Sequence, residues 1–337
     1  MPDSSRRSVS RRAFLKALTG LPSSGAAEFL PVGQITYDAP RITRVGRFFR
    51  QVYRPSSAPP QLDLDTWTLT VSGMVERPLV LAYEDVRAFP AVGETCTLVC
   101  IGNPPGGDQI GNAVWRGFDL DVLLAQAGVL PSATHIRFES ADGYTTSVPL
   151  ARAVNCGVLM AYEMNGALLP RAHGFPLRAL VPGLYGTKSP KWLTRITLID
   201  HAHPGYWESQ PHGWSDEAVI RTHARIDSPL PYTQVRIGAA VVFQGIAFAG
   251  DRRITAVEVN IDGGGWMPVT LRPPESPRAW TQWYTLWTPD MPGMVTVSVR
   301  ATDETGFTQT RQAGHLSDAY PDGSDAIHSI TLHVLPS

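Results

Sequence analysis

From Asp65 to Gly73 the residues DTWTLTVSG alternate apolar with polar, the period-two pattern of a half-buried strand. LAYEDVRAF, residues 81–89, carries a short helical pattern that Pro90 stops. Thr95 to Cys100 is an unbroken β-branched and apolar run, which predicts a buried strand. Gly102, Asn103, Pro104, Pro105, Gly106 and Gly107 end it abruptly, since proline has no N–H for a ladder and glycine permits unusual backbone angles. Leu120, Leu123, Leu124 and Ala127 share one helical face, with Asp119 placed to cap the start and Gly128 the end. His135–Ser140 and Tyr144–Val148 read as strands around an Asp142-Gly143 turn. Strands and helices mix without a βαβ rhythm, so an α+β fold is expected.

The pattern changes near Thr222. Ala240–Phe248, Ile254–Ile261, Met267–Leu271, Trp280–Trp287, Val295–Ala301 and Ile330–Leu335 are short alternating segments, separated by turns such as Asp262-Gly263-Gly264-Gly265 and Pro292-Gly293. Evenly spaced strands without a helical pattern predict an all-β, immunoglobulin-like sandwich, with a boundary between Arg221 and Ser228.

Composition narrows the function. Lys plus Arg (29) and Asp plus Glu (30) nearly cancel, so no bulk field favours nucleic acid or an anionic surface. No apolar run reaches the roughly 18 residues that a membrane span needs. Three cysteines cannot build a disulfide framework. Cys96 and Cys100 lie about 13 Å apart along one strand, beyond disulfide reach, and lack the spacing of a zinc pair. At the N-terminus, Ser10-Arg11-Arg12-Ala13-Phe14-Leu15-Lys16 matches a twin-arginine export signal, a route that carries folded, cofactor-loaded proteins; the other reading is a basic tail.

Two stretches carry candidate chemistry. In ETCTLVCIGNPPGG, Cys100 stands at a strand end beside a backbone able to approach a ligand closely. A thiolate there suits a soft transition metal, whereas a lone thiol elsewhere is a small buried hydrophobe. In residues 159–192, LMAYEMNGALLPRAHGFPLRALVPGLYGTKSPKW, the side chains of His173, Arg178, Lys188 and Lys191 fall in Gly/Pro turns and not on a periodic face. Cations in loops either converge on a phosphate or are solvated surface charges.

Together the Cys100 loop, the run AYEMNGALLPRAHGFPLRALVPGLYGTKSPKW and the C-terminal DGGGW and WTQWYTLW resemble the sulfite oxidase family of molybdenum enzymes, over roughly residues 48–335. The resemblance implies a molybdenum-molybdopterin (pterin dithiolene) cofactor with Cys100 as the protein's ligand to the metal. It implies that His173, Arg178, Ser189 and Lys191 hold the pterin and its phosphate. Asp142 matches an acidic cofactor contact, and Lys188 stands where relatives often carry Arg. Two positions depart from animal and plant sulfite oxidases. Pro104 and Pro105 replace sulfite-binding arginines, and Pro211 or His212 replaces an active-site tyrosine. Arg50 and Arg116 are the cations that could substitute.

The resulting expectation is an oxidoreductase moving an oxygen atom to or from a small sulfur- or nitrogen-containing compound. Its electrons would pass through a separate carrier, a cytochrome or a membrane quinol-linked subunit. The alternatives are sulfite dehydrogenase proper and a non-enzymatic two-domain binding protein. The expected organisation is a signal and linker over 1–38, a molybdopterin-binding catalytic domain over 39–222 and an immunoglobulin-like domain of the dimerisation type over 223–337. Twin-arginine export would place the protein in the periplasm, and the last domain would support a homodimer.

Overall fold

The computed structural model describes residues 41–52, 58–314 and 319–336, so the twin-arginine segment lies outside the described residues. Residues 39–337 form one unit built on four sheets.

The first sheet joins β1 (Thr68–Gly73), β2 (Leu79–Ala82), β5 (His135–Ser140), β6 (Thr145–Pro149) and β10 (Leu193–Ile199) in the order β2-β1-β10-β5-β6. The alternation in β1 buries Leu69 and Val71 completely. Against this sheet pack three short helices, α1 (Tyr83–Ala88), α2 (Leu120–Ala127) and α3 (Leu150–Cys156). They are six, eight and seven residues long, so the architecture is mostly β with few helices rather than an even α+β mixture. Gly128 takes the left-handed conformation and caps α2 as expected, but Asp119 makes no side-chain cap hydrogen bond. The Leu120 N–H is instead satisfied by Val158 O from a neighbouring segment.

The second sheet runs β3 (Val92–Val99), β4 (Ile110–Asp119), β7 (Leu159–Met164), β8 (Ala167–Leu168), with β9 (Arg178–Leu180) also on β7. β3 stops one residue before Cys100, and its last four residues are all buried. Its other flank meets residues 276–280. Thr97 N–H donates to Arg278 O (2.9 Å), Trp280 N–H to Thr97 Oγ1 (2.9 Å), and Ser276 Oγ to Thr95 O.

The remaining sheets belong to the C-terminal third. One is β11 (His223–Ser228), β13 (Val241–Phe248), β17 (Thr281–Trp287) and β16 (Thr270–Arg272); the other is β12 (Gln234–Arg236), β19 (His328–Leu335), β18 (Gly293–Asp303), β14 (Ile254–Ile261) and β15 (Trp266–Pro268). They share one core in which Phe243 and Trp283 meet Val257, Val297 and Leu332. The expected single strand Met267–Leu271 is two: β15 pairs with β14 and β16 with β17, so the chain changes sheets at Val269. A further core of Val99, Ile101, Ile110, Tyr185, Ile246, Phe248 and Trp280 joins the two halves just behind the Cys100 loop. Among the described residues no helix is long and apolar enough to cross a membrane.

Candidate functional site

Where β3 ends, the chain turns through Cys100, whose N–H donates to Gln109 O (2.9 Å) and whose carbonyl accepts from Asn103 N–H (3.0 Å). Asn103 Oδ1 accepts from Gln109 N–H (2.9 Å), closing the loop on itself. The Cys100 thiol opens onto a cavity of about 310 Å³. Burial pushes that thiol up from its ordinary pKa, with the Gly102 backbone pulling slightly the other way. Cys96 and Cys156 are also free thiols, and neither lines the cavity.

The opposite side is built by the turns of the 159–192 stretch. His173 closes a 3₁₀ turn, Arg171–His173, and is 2% exposed; its Nε2 has no hydrogen-bond partner. Burial, reinforced by Arg178 and Lys191, lowers its pKa to about 4, so it is neutral at ordinary pH. Arg178, 5% exposed, donates through Nη1 to His173 O (3.0 Å) and through Nη2 to Ser189 O (3.1 Å), while its buried Nε has no partner. Its guanidinium lies 5.1 Å from the Trp115 ring centre, and burial lowers its pKa to about 9. Ser189 Oγ accepts from Val181 N–H (3.0 Å). Lys191 Nζ donates to Gln51 O (2.8 Å) and Ala172 O (3.3 Å) and sits 4.1 Å from the Trp192 ring centre; burial and Arg178 bring its pKa to about 7. Asp142 accepts from Tyr144 N–H (3.1 Å) and is, among the described residues, the one carboxylate in the lining.

The fold therefore brings Cys100, Asp142, His173, Arg178, Ser189 and Lys191 to one cavity. Lys188 departs from expectation: it does not line the cavity, because its ammonium is held by Glu208 Oε1 (2.7 Å) and Asp216 Oδ1 (2.6 Å). Pro104 and Pro105 also lie outside the lining and face a smaller cleft against the C-terminal third. Neither Arg50 nor Arg116 lines the cavity; Arg116 is exposed on β4, 4.0 Å from Glu163. Pro211 and His212 are exposed and do not line the cavity, whose aromatic wall includes Trp207, Trp214 and Tyr144. Trp207 and Trp214 escaped the sequence reading because HPGYWESQPHGWSD has no periodicity; its density of aromatic residues was the available signal.

A pocket of this size with convergent polar donors is a small-molecule or cofactor site. Its buried polar groups are two cations and a neutral imidazole; the Arg178 Nε–H is a buried donor without a partner, and such a group is stable when an anionic, acceptor-rich partner meets it. The donor set fits the polar, anionic pterin of a molybdenum cofactor. Among the described residues no three His, Cys, Asp or Glu side chains are arranged to hold a metal by themselves.

The fold and the site define a molybdopterin-binding oxidoreductase domain, and residues 56–207 match the family described as the oxidoreductase molybdopterin binding domain. The chain is 31% identical to sulfite oxidase of Arabidopsis thaliana, over 66% of this chain and 68% of that protein. It is 30% identical to nitrate reductase [NADH] 1 of Oryza sativa subsp. japonica, over 76% of this chain and 35% of that one. Among solved structures, sulfane dehydrogenase SoxCD from Paracoccus pantotrophus aligns with a TM-score of 0.72 and 28% identity, over 82% of this chain and 77% of its own. The chain belongs to the sulfite oxidase family. It spans between 35% and 57% of the length of the first curated relatives it matches.

Proposed function

We propose that this chain is a molybdenum-molybdopterin oxidoreductase that transfers an oxygen atom to or from a small sulfur- or nitrogen-containing compound. The observation that carries the reading is that His173 and Arg178, whose buried Nε2 and Nε have no hydrogen-bond partner, line the same cavity as Cys100. Arg178, Lys191, His173 and Ser189 would hold the pterin and its phosphate, with Asp142 accepting from its N–H groups. Cys100 would be the protein's ligand, a thiolate suited to a soft, high-valent metal, and coordination would deprotonate a thiol that burial otherwise keeps protonated. When bound, the cofactor supplies the two-electron Mo(VI)/Mo(IV) couple that oxygen-atom transfer requires. Trp207, Trp214 and Tyr144 would exclude water and receive the substrate. The sulfane named for SoxCD supports a sulfur substrate.

The electrons would be exchanged with a separate carrier. The C-terminal two-sheet unit would be an immunoglobulin-like domain beginning near residue 223 and would pair two copies of the chain. Arg11-Arg12 supports export of the loaded protein to the periplasm by the twin-arginine route. Metal and pterin analysis of protein from a host that makes the cofactor, followed by anaerobic dye-coupled assays with sulfoxides, N-oxides and sulfite, tests the central reading. One molybdenum per chain and turnover of an oxygen donor or acceptor are expected. Protein purified from such a host without molybdenum would overturn it.

A further inference from the structure

Lys188 ends a 3₁₀ turn, Gly186–Lys188, and its side chain is 1% exposed. Its ammonium donates to Asp216 Oδ1 and to Ser147 O at 3.2 Å, and it is ion-paired at 2.7 Å with Glu208 Oε1, which it does not meet in hydrogen-bond alignment. Glu208 is itself buried, at 4% exposure. Both carboxylates lie in the segment that gives Trp207 and Trp214 to the cavity wall. That segment closes on itself, with Trp214 N–H donating to Trp207 O (3.1 Å) and Ser209 N–H to Gly205 O (3.0 Å). Trp214 packs edge-on against Tyr320, and a Cβ built on Gly102, two residues past Cys100, would touch its ring at 3.5 Å.

We infer that Lys188 is a positioning residue whose ion pairs with Glu208 and Asp216 hold the Trp207–Trp214 turn as an aromatic wall beside the Cys100 loop, and that this wall selects neutral substrates bearing an apolar group on the reacting sulfur or nitrogen. Among the described residues Lys188 is the cation paired with Glu208. Removing it leaves a buried carboxylate uncompensated, and the direct relief is for the turn to swing Glu208 into water. Trp207, the preceding residue, moves with it. An ammonium already engaged by two carboxylates also has little attraction left for an anionic substrate, whereas an aromatic face attracts an apolar substituent.

The substrate half rests on the proposed oxygen-transfer reaction; the placement of the turn is tested without turnover. In cofactor-free Lys188→Met protein the Ser209 and Trp214 amides should exchange hydrogen at least about ten-fold faster than wild type, with Lys188→Arg close to wild type. Glu208→Gln, which leaves no buried charge unpaired on the turn but loses the ion pair, provides a second variant that should also exchange faster. In loaded enzyme with a reduced dye, Lys188→Met should raise KM for methyl phenyl sulfoxide about ten-fold and shift that for dimethyl sulfoxide less than about three-fold, with Lys188→Arg restoring the first. Unchanged exchange in both Lys188→Met and Glu208→Gln overturns the positioning role, and pterin loss from Lys188→Met with normal exchange overturns it in favour of a cofactor contact. A wild type that turns over neither sulfoxide sinks the substrate half, and exchange alone then decides the positioning role.

Discussion

A single sulfur atom distinguishes Cys100 from its nearest substitute. Cys100→Ser keeps the size and the buried setting but offers a hard, poorly ionised oxygen in place of a soft thiolate. The variant should retain its far-ultraviolet circular dichroism while losing turnover; full activity in Cys100→Ser would end the ligand assignment. Arg178 is the second residue to probe, because its unpaired Nε awaits an acceptor. Arg178→Ala should reduce pterin affinity about ten-fold or more, since one partner of a charged hydrogen bond is worth roughly 1.5–3 kcal/mol. Wild-type pterin content in that variant would show the guanidinium to be purely structural. Sulfite should bind poorly: among the described residues the cavity is lined by no Arg or Lys besides Arg178 and Lys191, which are assigned to the pterin, and a dianion short of two charged hydrogen bonds should show a KM about a hundred-fold higher; steady-state kinetics showing micromolar half-saturation would contradict this. The residues of the candidate site were legible where chemistry sits in glycine- and proline-bounded turns, as with Cys100, His173, Arg178 and Lys191. The same pattern named Lys188 but gave no hint of its partners, because Glu208 and Asp216 belong to a segment that only the fold brings alongside.

At the scale of elements, the loop after β3 is fixed from outside. Gly106 has φ +73°, and a Cβ there would lie 2.2 Å from His328 Nε2. The imidazole has little room to retreat, since His328 Nδ1 accepts from Ile226 N–H (3.0 Å), and Arg225 Nη1 donates to Gly107 O (2.6 Å) beside it. Gly106→Ala should cost about 1–3 kcal/mol, measured as a lower urea midpoint. Adding His328→Ala should recover part of that loss, and strict additivity of the two changes would mean that the contact is not the cause. Strands with one wet face, such as β1, β5 and β14, were readable from alternation. β7 was not, because it is buried on both faces and its sequence has no period-two contrast. Nor does local pattern reveal that β1 pairs in parallel with the distant β10, a choice made by tertiary packing.

Across the molecule, burial holds three histidines neutral. Desolvation lowers the pKa of His173, His223 and His328 to about 4 each, aided at all three by neighbouring cations. The unfolded chain takes up protons below about pH 6.5 while the folded chain resists until near 4, so stability present above pH 6.5 is lost as the pH falls through that window. Each histidine contributes a slope of about 1.4 kcal/mol per pH unit there. Urea titrations of cofactor-free protein should give midpoints that fall steeply from pH 6.5 to 4.5, and a flat profile would show that these rings are hydrated. One further consequence comes from the strand that leads to Cys100. β3 is bonded along one edge to β4 and along the other to residues 276–280, so both halves of the chain grip it. If Cys100 holds the metal as proposed, a sulfur carried at the end of such a splint would keep its place while the charge beside it changes, and little of the surroundings would have to rearrange. The C-terminal third, which supplies no residue to the cavity lining among the described residues, would thereby set how quickly electrons move.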